Sequence, residues 1–347
     1  MSRTTRRLIF YGFVAVFIII TPLIILFAIG YTYDFRTHKI VQTGGIYLKS
    51  TPSAAPITLN GKSNGTTARL ISRLAPGSYK ISVTKDGYYS WQKTLAVAPK
   101  LVTEARNIYL FPQKVQPETT GTNVTTTIEY FLETDSEKQN DALAARTAST
   151  TAGWLRKDSS VYFVSPDNFM LYREDLDGAN QTQISKSPLP SETYRVFTND
   201  GRAFAALSGK GYLYYLNPDT GLFDTLADEI KSAAISNDNK KILYWADNEI
   251  WVYYAQEILT QPYKTAGTKD LITRFAQKIS QAIFYPDNEH IAFVVGNQIK
   301  ITELDDRDSR NTVDLISAPS PQIYFDQNND YLYYLSKNNI FRLKLGV

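Results

Sequence analysis

The residues able to do chemistry are few and scattered. Asp175, Asp177 and Asn180 carry oxygen ligands at a calcium-like spacing. No downstream acidic ligand completes the set, and the run reads equally as a hairpin turn. Asp305, Asp306 and Asp308 form a second acidic cluster, with Arg307 and Arg310 interleaved as in a solvated loop. His38 and His290 are the two histidines, one juxtamembrane and one in a turn, too far apart in sequence to define a metal site. Without cysteine, disulfides, thiolate metal sites and Cys nucleophiles are excluded together. No Ser-His-Asp set, glycosidase carboxylate pair or phosphate-binding Gly loop has supporting context. The sequence therefore offers no catalytic, cofactor-binding or metal residues. Its candidate contact residues are the aromatics Tyr88, Tyr89 and Trp91, read as a patch for a partner or carbohydrate. The competing reading is a strand whose residues alternate between core and surface.

Charge and composition narrow the elements that carry these residues. Tyr is abundant at 24 residues, and frequent Thr, Ile and Val favour strands over helices. The net charge of +3 is too small to argue for nucleic acid. Removing Arg3, Arg6 and Arg7 leaves 34 basic against 34 acidic residues, so the positive charge belongs to the N-terminal end.

Leu8 to Tyr31 is free of charged residues. At about 1.5 Å per residue, it is long enough to cross a hydrocarbon core of about 30 Å. Residues 1–7 then form a basic cytoplasmic tail and 8–31 a single-pass transmembrane helix. Pro22 lies mid-span, and Tyr11, Tyr31 and Tyr33 lie near the two ends. The basic bias places the N-terminus in the cytoplasm and the rest of the chain outside the cell membrane. The apolar run exceeds an ordinary signal core, which favours an uncleaved signal anchor over a cleaved peptide ending near Ala28-Ile29-Gly30. An exported chain without cysteine fits a bacterial envelope.

Residues 45–112 read as a small β-sandwich. The strand candidates are 46–50, 57–59, 79–85, 91–97 and 103–110. Turn pairs such as Asn60-Gly61, Pro76-Gly77 and Asp86-Gly87 separate them. Ser50-Thr51-Pro52, Ile57-Thr58-Leu59-Asn60-Gly61, Leu74-Ala75-Pro76-Gly77-Ser78-Tyr79, Gly87-Tyr88 and Trp91 together resemble the PEGA domain. The chain departs from that family at its namesake tetrapeptide, which reads Pro52-Ser53-Ala54-Ala55. The resemblance implies an envelope module that binds protein or cell-wall partners, or a folded spacer, with no established catalytic site.

Residues 113–153 read as a linker. Within it Val124 to Leu132 is a strand candidate, and Asp135 to Ala148 suits a short helix or a loop. Beyond it the chain repeats. Turn residues Asp158, Asp200, Asp238, Asp287 and Asn328 recur at intervals of 42, 38, 49 and 41. After each of the last three, a strand, an Asn turn and a further strand follow; Asn248, Asn297 and Asn338 coincide, as do Ile250, Ile299 and Ile340. A period near 40 built from strands is the signature of a propeller blade. The script, with Asp175-Leu176-Asp177-Gly178-Ala179-Asn180 as a blade-ending hairpin, resembles TolB-like and WD-type β-propeller repeats over 154–345. Five copies are visible and the last lacks an outer strand. A β-propeller of five to six blades over 154–347 is expected, closed by the strand 124–132, with an open ring as the alternative.

The fold expected is mainly β: one transmembrane helix, a PEGA-like sandwich and a C-terminal propeller. The function expected is a binding or scaffolding protein of the bacterial envelope, not an enzyme and without cofactor. Its partners are the membrane and an envelope protein or cell-wall glycan, and not nucleic acid. The alternative is a propeller-type hydrolase of envelope glycan or peptide. That reading requires a deep pocket with convergent carboxylates.

Overall fold

The computed structural model describes residues 3–34, 38–133, 135–147, 151–326 and 331–346. The chain divides into two compact units, Met1–Leu110 with Arg307–Ser309, and Phe111–Asp306 with Arg310–Val347.

The first unit begins with helix α1, Arg3–Ala28, which takes in the arginines expected to precede it. None of its residues is buried by protein, and it is long and apolar enough to cross a membrane. The helix ends before Gly30, whose φ of +89° is a left-handed turn open to glycine. Tyr31 therefore belongs not to the helix, as the sequence reading had it, but to a hairpin pairing Tyr31–Asp34 with Lys39–Gln42.

Two sheets follow. One orders Arg69–Leu74, Gly44–Thr51 and Val102–Tyr109, and the other Lys62–Thr66, Pro56–Leu59, Gly77–Val83 and Trp91–Val97. The first and last strands of this sandwich, Gly44–Thr51 and Val102–Tyr109, pair in parallel. Ile46, Leu48, Ile57, Ile81, Val83, Trp91, Leu95 and Ile108 fill the space between the sheets. Each such aliphatic or aromatic side chain contributes about 1.5–3 kcal/mol when fully buried. Lys62–Thr66 and Arg69–Leu74 were not foreseen. Both are edge strands, mostly exposed, and lack the apolar alternation that marks a covered strand.

Among the described residues, the second unit contains five four-stranded antiparallel sheets. Blade one is 153–183, blade two 194–227, blade three 232–274 and blade four 279–317. Blade five combines Gln322–Asp326, Tyr331–Ser336 and Asn339–Lys344 with an outer strand from far upstream, Glu118–Gly121. In blades one to four the second strand is wholly buried, as in His290–Val295, because both its faces are covered by packed neighbours. Leu243, Trp245 and Val252 of blade three meet Ile279, Ala282 and Phe293 of blade four in one cluster. Blades four and five are joined by Tyr285 against Phe325, with centroids 4.9 Å apart. The Gln281 amide also accepts from Ile323 N–H at 2.7 Å and donates to Ile323 C=O at 2.6 Å.

Val124 to Leu132 is not the closing strand. Residues Ile128–Leu132 form a short helix, α2, and Asp135–Thr147 form α3. The reason is legible in retrospect: Val124, Ile128 and Leu132 recur every four residues, a helical spacing. They pack against Tyr333, Ile340 and Leu335 on the face of blade five turned away from blade four. Ala144 of α3 packs against Val161, on the face of blade one turned away from blade two. The outer strand of blade five is instead Glu118–Gly121, whose Glu-Thr-Thr-Gly sequence has no apolar alternation because an outermost strand is largely solvated.

Blades one and two approach most closely at Gly153, where Tyr194 N–H donates to Ala152 C=O at 2.7 Å. A Cβ at Gly153 would lie 2.0 Å from the Tyr194 carbonyl oxygen, a backbone atom that cannot swing aside. Gly153→Val is expected to cost about 1–3 kcal/mol or more through overpacking. Urea unfolding of the propeller followed by tryptophan fluorescence measures this; an unchanged midpoint refutes it.

Candidate interaction face

In each blade the first strand lies innermost, so alternate connections gather at opposite ends of the propeller. The turns between second and third strands share one end with the links from each blade to the next. Gly209–Gly211, Asp228–Lys231 and Asp247–Asn248 fall there, on blades two and three. Lys210, Asp228–Lys231 and Asp247–Asn248 line an open groove of about 870 Å³ that adjoins a second of about 400 Å³ lined by Gly209–Gly211, with Lys210 and residues 229–231 common to both. Trp251 and the buried Tyr244 supply its aromatic surface.

Several charges in and beside the groove are paired. Glu192 accepts from Lys210 at 2.9 Å. Asp247 lies 3.1 Å from Lys278 and 3.6 Å from Lys231. Glu249 accepts from the Trp251 indole N–H at 2.8 Å and pairs with Arg274 at 2.5 Å. Hydrogen bonds from these partners hold all three carboxyls below the usual carboxylate range: Lys210 for Glu192, Lys278 for Asp247, Trp251 for Glu249. A general acid needs the opposite, a carboxyl raised toward neutrality. The arrangement offers ammonium groups, amides and an indole face to a bound segment.

The residues picked out from sequence fare differently. Trp91 is buried, with Leu95 and Val97 facing the same core, so its reading as a contact residue is corrected. Strand alternation decides this: Trp91, Leu95 and Val97 point inward while Gln92, Thr94 and Ala96 point out. Tyr88 is half-buried against that core with the Lys85 ammonium 5.9 Å from its ring, and Tyr89 is half-buried. The three do not make one exposed patch. Asp175, Asp177 and Asn180 form a hairpin turn in which Asn180 donates to Asp175 at 2.7 Å and Ala179 N–H donates to Asp177 at 3.0 Å. Among the described residues, no three His, Asp or Glu side chains converge on a metal-sized site.

Asp306 and Asp270 each lie 2.6 Å from the Lys264 ammonium, which clamps the long third-to-fourth-strand connection of blade three. That connection is what stretches the repeat interval to 49. A buried charge also ties blades three and four. Lys241, 1% exposed, donates to Asn288 C=O and to Glu289, both at 2.8 Å. Nothing in the run Asn239-Lys240-Lys241 distinguishes it from a solvated turn.

His290 lies 2.7 Å from Asp287 and is packed edge-on by Phe111 and Tyr285. Burial opposes its protonation, but the Asp287 carboxylate, with Glu303 and Glu289 nearby, outweighs burial and raises its pKa. A raised folded pKa gives stability that is complete below the ordinary value of about 6.5 and is lost as pH climbs through the folded value. The propeller's Tm is therefore expected to decline across that window, and His290→Asn to flatten the decline. Scanning calorimetry of both proteins from acid to alkaline pH is decisive: equal slopes refute the assignment.

Residues 43–109 match the family model of the PEGA domain, which identifies the sandwich of the first unit. No curated protein matches the chain. Among solved structures, it is similar to a chain of the nidogen/laminin complex at 12% identity, covering 53% of this chain and 74% of that one, with a TM-score of 0.34. It is similar to the β-propeller domain of Myceliophteria thermophila Cps50 (Swd1) at 14% identity, covering 55% and 67%, with a TM-score of 0.39. It is also similar to the C-terminal WD40 domain of Sif2 at 12% identity, covering 55% and 56%, with a TM-score of 0.38. The chain carries a PEGA domain over residues 43–109, a candidate membrane span before it and a C-terminal β-propeller after it.

Proposed function

We propose that this chain is a membrane-anchored binding or scaffolding protein of the bacterial envelope, not an enzyme. In this reading α1 is an uncleaved signal anchor with its N-terminus in the cytoplasm. The PEGA domain and propeller lie outside the membrane, and the groove on blades two and three takes a segment of an envelope protein or cell-wall glycan. The observation that carries the proposal is the groove's chemistry. Asp247 and Glu249, which line it, are paired with lysine, arginine and indole donors that hold their carboxyls below the usual carboxylate range, which suits recognition and not proton transfer. An open cleft with an indole face and convergent hydrogen-bonding groups is a general binding geometry.

Affinity capture of the full chain from envelope membranes in mild detergent is the test. An envelope component is expected to copurify with the wild type. The double variant Lys231→Glu, Lys278→Glu reverses charge around Asp247 at exposed side chains. It is expected to lose that component at least several-fold while keeping the wild-type Tm. Recovery of no envelope component, or equal recovery with the variant, overturns the reading.

A further inference from the structure

The helix-proximal end of the PEGA domain carries a surface that its own fold leaves uncovered. Three strand ends converge there. Gly44–Thr51 begins at this end, the antiparallel Arg69–Leu74 finishes at it, and the parallel Val102–Tyr109 starts from it, with Gly44 opposite Leu74 and Gly45 opposite Val102. The same end is tied to the exit of α1. Thr43 N–H and Thr43 Oγ1 both donate to Gly30 C=O at 2.8 Å. The Arg73 guanidinium sits over the Phe27 ring, 3.8 Å from its centroid, at the last turn of the apolar helix.

Around this junction the apolar side chains point outward. Leu101 is 61% exposed, Leu70 52%, Ile40 55% and Val102 39%. Arg73 and Lys100 are exposed among them, and Lys100 N–H is fixed to Thr43 C=O at 3.0 Å. The acid farther along the last strand, Glu104, is already held by Arg106 in two hydrogen bonds of 2.5 and 2.8 Å. Apolar side chains interspersed with cations at the end of an apolar helix match the boundary between acyl chains and anionic headgroups.

We propose that this end of the PEGA domain is a lipid-contact surface, seated on the anionic phospholipid headgroups of the bilayer that α1 spans. Leu70, Leu101 and Val102 enter the acyl boundary, and Arg73 and Lys100 engage phosphate groups beside Phe27. The domain is then held against the bilayer as well as tethered to it. The inference rests on α1 being a membrane span.

The absence of cysteine makes the test direct, since one introduced cysteine gives one label. The full chain carrying Leu101→Cys, Lys62→Cys or Val16→Cys is spin-labelled and placed in nanodiscs of phosphatidylcholine with phosphatidylglycerol. Accessibility to oxygen and to a water-soluble nickel chelate is then read by electron paramagnetic resonance. Chelate access at position 101 is expected to be several-fold below that at position 62. Arg73→Glu with Lys100→Glu is expected to restore it. Equal chelate access at 101 and 62, or no response to charge reversal, overturns the proposal. The label at position 16 separates the two levels: lipid immersion at 16 with water access at 101 refutes the surface and leaves the anchor standing, whereas water access at 16 refutes the anchor itself.

Discussion

A four-stranded blade has two apolar faces and can bury neither alone. Every part of the second unit follows from that constraint. Residues such as Leu243 and Phe293 are covered only because an adjacent blade brings a matching face. Burial at about 25 cal/mol per Å² makes such shared faces the dominant stabilising term. The blade order then fixes where turns gather, and hence where the groove lies.

The same constraint explains the two devices at the ends of the repeat. Blade five receives its outer strand from Glu118–Gly121, so residues far apart in sequence are joined by one ladder. The remaining faces of blades five and one are met by α2 and α3. Arg156 of blade one ties the helical segment further, pairing with Asp141 of α3 and lying 3.6 Å from Glu133. A helical cover at this junction relieves the terminal blades of faces that would otherwise meet water.

Polar groups inside the propeller serve the joints between blades. Gln281 satisfies both backbone groups of Ile323, and Lys241 caps Asn288 while pairing with Glu289. Buried donors and acceptors without such partners would cost free energy comparable to the contacts they interrupt. At the groove the paired charges have a different consequence. They face solvent, and their partners can be exchanged for groups on a ligand.

The amino-acid sequence by itself determined the apolar span, the PEGA-like strand and turn pattern, and the propeller repeat. Each is a local periodicity or a turn whose residues carry their own conformational preference. It also placed the insertion in blade three, through the long interval before Asp287. Only the tertiary structure decided which segment supplies the outer strand of blade five, because a strand such as Glu118–Gly121 has no apolar alternation to announce it. The same is true of Trp91, whose inward direction depends on the register of its strand. The groove and the lipid-facing end were equally out of reach. Lys231 and Lys278 meet Asp247, and Arg73 meets Phe27, only after blades and strand ends are brought together, and no local preference encodes that distance.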